Sequence, residues 1–183
     1  RYARVTGVQT CALPILKMPP SSAERSIMAM YKQMEKNPPE YFSFGLVNNN
    51  PYEWNITIFG QPKTLYADSI LPAVIKFTPE FPFKPPTMYF KCKMWHPNID
   101  FKTGKVCISI LHEPGNDPLN EQEQAGERWL PIHTVESIVI SVMSMLEEPN
   151  PESPLNVEAN RDYMTDRKRY NQKVRRFAQD AIK

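Results

Sequence analysis

Between Trp95 and His133 the sequence concentrates residue types that can do acyl chemistry. Cys107 has His96 and Asn98 upstream, and His112, Asp117 and His133 downstream. A partly exposed cysteine is an able nucleophile even without a base, because a useful fraction of the thiol ionises near neutrality. An asparagine amide can donate hydrogen bonds to the oxyanion formed at an attacked thioester. Three other readings compete. Cys107 alone could be a core residue, as free cysteines often are. Cys107 with His112 or His133 could form a protease-like couple, but that spacing is not diagnostic, and His112 is read as fixing the loop. A zinc site from Cys92, Cys107 and the histidines lacks clustered ligands, so no metal and no cofactor is expected.

After Leu111 the chain turns polar and acidic, with Glu113, Asp117, Glu121, Glu123 and Glu127 before Trp129. Such a stretch cannot pack into a core. It is a solvated insertion, or a source of negative potential that draws in a lysine or a basic partner surface.

The elements that must position these residues follow from periodicity. Ser21 and Glu24 stand at capping-box spacing. Ala23, Ile27, Met30 or Tyr31, and Met34 then recur as a helical stripe, which Pro38 and Pro39 stop. Four strand candidates follow: "YFSFGLV", "EWNITIFG", "AVIKFT" and "TMYFKC". Trp54, Ile56 and Ile58 share one face, as do Met88, Phe90 and Cys92; alternation with short connections predicts an antiparallel meander with one face packed. Cys92 is therefore read as core. Thr134 can cap a helix lined by Val135, Ile138, Val142 and Met145, ended by Pro149 and Pro151. A last helix from about Thr165 carries Tyr170, Val174, Phe177 and Ala181 on a stripe; its face of Arg167, Lys168, Arg169, Lys173, Arg175 and Arg176 is read as solvated. Helix, four-stranded antiparallel meander, irregular middle and C-terminal helices predict an α+β layer with helices on one side of the sheet.

At 183 residues the chain fits one domain with a real core. Its 19 prolines against 6 glycines point to short elements with rigid connections, because an aromatic share of 11% is too high for a solvated tail. A net charge of +2 gives no steer toward nucleic acid. Three cysteines without CxxC spacing fit a reducing, cytoplasmic setting. No apolar run is long enough to insert into a bilayer. "VTGVQTCALPI", Val5 to Ile15, resembles the translation of a DNA-sequencing adapter, so residues 1–16 are read as a non-native segment and 17–183 as the domain.

From about Ser21 to Lys183 the sequence resembles the ubiquitin-conjugating enzymes. The resemblance rests on "PEFPFKPP", "WHPNI", "GKVCISIL", "ERWLP" and "EPNPESPLN", in that order and spacing. The acidic stretch after Cys107 is similar to that of the chain-building, degradation-associated subgroup. The resemblance implies that Cys107 carries ubiquitin as a thioester, taken from the activating enzyme and passed to a lysine amine. It implies that Asn98 stabilises the oxyanion or organises a loop, and that His96 holds the loop rather than acting as a base. It gives Asp117 the task of orienting the attacking lysine. Phe83, Leu130, Pro131 and Ile132 become contacts for a RING-type ligase, and Arg25, Lys32 and Lys36 contacts for the activating enzyme. A ligase anchored in the endoplasmic reticulum could recruit the protein there. A non-catalytic ubiquitin-binding variant and a conjugating enzyme for another modifier are the alternatives. The match departs from the family pattern near the cysteine, at Thr78, and in "YADSIL", and the acidic stretch is one residue longer than in its nearest counterparts. Asn98 and Cys107 are nine positions apart, one more than in close relatives, and Asp100 stands where those often carry an aromatic residue.

Overall fold

Asn48 and Asn49 both take positive φ, 50° and 59°, which asparagine tolerates better than most residues. They form the two-residue turn between strand β1, Phe42–Val47, and strand β2, Asn50–Phe59. The structure, a computed structural model, describes residues 19–115 and 125–181. Strand β3, Ile70–Lys76, and strand β4, Thr87–Phe90, complete an antiparallel sheet of order β1-β2-β3-β4. Trp54, Ile56 and Ile58 all point into the core, opposite Ile75, Ala73 and Leu71 of β3. The meander is thus the one the alternation predicts. β3 begins three residues earlier than "AVIKFT", at Ile70, after a tight return in which Gly60 passes so close to Tyr66 that a Cβ would lie 1.6 Å from its carbonyl oxygen.

Helix α1, Ser22–Lys36, starts where Ser21 Oγ accepts the Glu24 N–H at 3.0 Å, and it buries Ala23, Ile27 and Met34. Tyr31 meets Phe44 and Trp54 edge-on, with ring centroids 5.2 and 5.0 Å apart. Helix α2, Val135–Glu147, buries the four stripe residues named above and adds Val139 and Leu146. Its capping box is reciprocal: Thr134 Oγ1 accepts from Ser137 N at 3.1 Å, and Ser137 Oγ accepts from Thr134 N at 2.9 Å. Thr134→Ala is expected to lower unfolding free energy by about 1 kcal/mol, read from the shift of the urea midpoint at unchanged slope.

The C-terminal part differs from expectation. It is two helices, α3 (Val157–Thr165) and α4 (Arg167–Asp180), with Asp166 ending one and capping the next through Arg169 N. The basic face of α4 is not uniformly solvated. Lys173 Nζ lies 2.7 Å from the buried carboxylate of Asp162 and 3.9 Å from the centre of the Trp95 ring, and Arg169 Nε lies 3.5 Å from Asp162. Burial pushes the Asp162 carboxyl up, but the Lys173 hydrogen bond and the two cations outweigh this and hold it below its ordinary value. One core unites the inner face of the sheet with α1, α2 and α4. Among the described residues no helix is long and apolar enough to cross a membrane.

Candidate active site

The chain reaches Cys107 through a turn that Asp100 builds. Asp100 Oδ1 accepts hydrogen bonds from Lys102 N, Thr103 N and Thr103 Oγ1, and these hold its carboxyl below its ordinary value. Gly104 closes the turn at φ 76°, with its N–H on Asp100 O at 2.8 Å and its Cα so near β4 that a Cβ would sit 2.1 Å from Phe90 O. Tyr89 then bridges to Lys105 and Ile99 to Val106. The carboxylate at position 100 thus anchors a segment that would otherwise be a longer, looser connection. Cys107 follows at once, with its N–H on Asn98 O at 3.0 Å and its side chain half-buried.

Asn98 is 2% exposed and its amide is fully used. Nδ2 donates to Asn150 O at 2.8 Å and to Ser153 O at 3.3 Å, and Oδ1 accepts from Asn150 N at 2.8 Å. Pro97 O takes two more N–H groups, from Leu155 and Asn156, both at 2.9 Å. The His-Pro-Asn segment therefore clamps the connection between α2 and α3. His96 is fully buried; its Nδ1 accepts the Asn98 N–H, so Nε2 must carry the proton and donate to Met145 O, each at 3.0 Å. Burial lowers its pKa to about 4, the hydrogen bond to Met145 opposing. A ring with both nitrogens occupied and no water contact holds the loop and has no free lone pair for a substrate proton.

His112 differs. A short 3-10 turn, Ser109–Leu111, reverses the chain after Cys107 and brings His112 Nε2 to 3.1 Å from Cys107 Sγ. The contact read as undiagnostic from spacing is therefore made. His112 also fixes the loop, because Trp129 N–H donates to its carbonyl at 3.1 Å. Arg128 Nη1 reaches Glu113 O at 3.3 Å, so the two ends of the acidic stretch are pinned together beside the cysteine. The Glu113 carboxylate itself turns to Lys84, 3.7 Å away. Asp117, Glu121 and Glu123 lie outside the described residues. Among the described residues no cluster of three or more metal-binding side chains occurs.

A thiol on a clamped irregular segment, backed by a sheet and flanked by a pinned acidic insertion, is what the sequence motifs describe. Comparison with known proteins decides the family. The model for ubiquitin-conjugating enzymes matches residues 26–178. The chain is 43% identical over 166 residues to ubiquitin-conjugating enzyme E2 15 of Schizosaccharomyces pombe, covering 90% of this chain and 98% of that one. It is 46% identical over 157 residues to ubiquitin-conjugating enzyme E2 14 of Arabidopsis thaliana, covering 85% and 93%. It is 42% identical over 162 residues to human ubiquitin-conjugating enzyme E2 G2, covering 88% and 97%.

The chain belongs to the ubiquitin-conjugating enzyme family. It is a transferase of the ubiquitin-conjugation pathway, and membership implies, in general terms, ubiquitin, an activating enzyme and a ligase as partners.

The remaining residues singled out from the sequence fall on two surfaces. Phe83 is 73% exposed and Ile132 80%, with Leu130 and Pro131 exposed beside it. Their loops are far apart in sequence but joined in space, because the buried Trp129 indole donates to Pro82 O at 2.7 Å. Arg25, Lys32 and Lys36 are exposed on α1, and Arg25 Nη1 donates to Pro20 O at 2.7 Å. Sequence reasoning missed three contributors: Trp129 as the tie between those loops, Asp100 as the turn builder, and Asn150 as the partner of Asn98. Each is a residue of unremarkable type whose task is defined by a contact.

Proposed function

We propose that Cys107 accepts the C-terminus of ubiquitin as a thioester from the activating enzyme and passes it, with a ligase, to a lysine amine. One observation carries the assignment: Cys107 is a half-exposed thiol whose backbone N–H is held by Asn98 and whose flanks are the pinned ends of the acidic stretch. The test is direct. Incubated with activating enzyme, ATP and ubiquitin, the protein should show an adduct on a non-reducing gel that thiol reagent removes. No adduct, or one that survives thiol, overturns the assignment.

Of the two roles considered for Asn98, its hydrogen bonds support that of loop organiser. Phe83, Leu130, Pro131 and Ile132, exposed and largely apolar, form the ligase-binding surface for a RING-type domain, and Arg25, Lys32 and Lys36, exposed on α1, meet the activating enzyme. The acidic insertion supports membership of the chain-building, degradation-associated subgroup, acting in the cytoplasm or at the endoplasmic reticulum surface through a partner.

Asp117 orients the lysine. A free lysine amine has a pKa of about 10.4, so little of it is neutral near pH 7, and a carboxylate nearby favours the charged form further. The carboxylate therefore helps by attracting and aligning the amine and by taking its proton as attack proceeds. Asp117→Ala is expected to slow single-turnover discharge to free lysine about tenfold, with loading nearly unchanged; equal losses in both steps count against it.

A further inference from the structure

The thioester assignment leaves one contact unexplained, the 3.1 Å between Cys107 Sγ and His112 Nε2. We propose that His112 is the proton acceptor for Cys107 as the thiol takes up ubiquitin. The inference rests on the assignment of Cys107 as the acceptor of ubiquitin.

Geometry singles out His112. Its ring is delivered by a turn whose backbone bonds fix it: Leu111 N–H to Ile108 O and His112 N–H to Ser109 O, each 2.9 Å, with Trp129 N–H on the His112 carbonyl. Both Cys107 and His112 are half-buried, so an incoming thioester can reach the sulfur while water around the pair is reduced. Among the described residues, three other titratable groups near the segment are committed elsewhere. His96 is fully buried with both nitrogens bonded, Asp100 is spent on its own turn, and the Glu113 carboxylate faces Lys84. Among the described residues His112 is the base in hydrogen-bond reach of the sulfur.

The step balances without any further reactant. Sγ–H passes its proton to His112 Nε2 as Sγ forms a bond to the carbonyl carbon of the activating enzyme's thioester. The tetrahedral intermediate collapses, the bond to the activating enzyme's sulfur breaks, and its electron pair stays on that sulfur. The imidazolium gives up its proton through solvent to the departing thiolate, so Cys107 ends acylated, the partner's cysteine ends as thiol and His112 ends neutral. Only a few per cent of an ordinary thiol is ionised at pH 7, so a base in reach gains about tenfold at that pH and almost nothing where the thiol ionises unaided.

The experiment follows the rate at which iodoacetamide alkylates Cys107, read by mass on the Cys107 peptide, from pH 6 to 10 in the wild type, His112→Gln and His112→Asn. The glutamine variant keeps a hydrogen-bonding group but cannot carry a proton. We expect the wild type to react about tenfold faster than either variant at pH 7, with the gap closing above about pH 9. Equal rates at all pH values overturn the proposal, and so does a gap independent of pH, which is the mark of a purely structural role. The wild-type profile decides even where the variants fold poorly: a shoulder below about pH 7.5 supports the proposal, and a single rise near pH 8.5, where an ordinary thiol ionises, overturns it. Adduct formation with activating enzyme, ATP and ubiquitin, run in parallel, judges the Cys107 assignment separately. His112→Gln should load more slowly at pH 7 yet reach the wild-type end point, whereas a wild type that never loads overturns the assignment whatever the alkylation rates.

Discussion

Cys107→Ala is expected to abolish the thiol-sensitive ubiquitin adduct outright, and Cys92→Ala to leave it at the wild-type level. Both cysteines are free and half-buried, so exposure does not separate them. Their surroundings do. Cys92 packs against the core with Sγ 3.7 Å from the thioether of Met94, and burial pushes its thiol pKa up, which depletes the nucleophilic thiolate. Cys107 has an imidazole at 3.1 Å and sits at the base of an acidic insertion whose ends are tied to each other. A non-reducing gel reads both variants at once. An adduct retained by Cys107→Ala, or lost in a folded Cys92→Ala, moves the acceptor to another residue.

The same contrast shows what a sequence can and cannot display. Period-two and helical patterns report on a burial face, and here they were sufficient for the sheet, α1 and α2: Trp54, Ile56 and Ile58, then Ile27 and Met34, then Ile138 and Val142 are all core. Helix α3 went unseen because it has almost no apolar stripe. Its buried positions are Ala159 and Asp162, and a carboxylate is buried there only because Lys173 and Arg169 of α4 come to meet it. The lysine looked solvated for the same reason; its partner lies eleven residues away on another helix. At the site, residue type identified Cys107 and Asn98 as chemically able, but hydrogen-bond partners are a tertiary property. Asn98 finds Asn150 and Ser153 across more than fifty residues, and His112 reaches the sulfur only because three residues tighten into a 3-10 turn.

The clamp built on His96 also fixes how the protein responds to acid. His96 has an ordinary pKa of 6.5 and a folded pKa of about 4, because burial disfavours the imidazolium and outweighs the hydrogen bond to Met145 O. With the folded value depressed, the unfolded chain binds the proton more readily, so stability is complete above about pH 6.5 and falls as the pH drops toward 4. Each unit of separation corresponds to about 1.4 kcal/mol, so about 3 kcal/mol is lost across that window, a large share of the 5–15 kcal/mol typical of a domain. Protonation also turns Nδ1 from acceptor into donor facing the Asn98 N–H, so opening should begin at the His-Pro-Asn segment and release the α2–α3 connection it holds. Denaturant unfolding at pH 7, 6, 5 and 4.5 should show the midpoint falling, and His96→Gln, less stable at pH 7, should lose less over the same range. The ring resonance of His96 in NMR should move by only about a tenth of its full titration shift between pH 7 and 5. If it titrates with a midpoint near 6.5 in the folded protein, the ring is not sealed and the clamp does not set the acid limit.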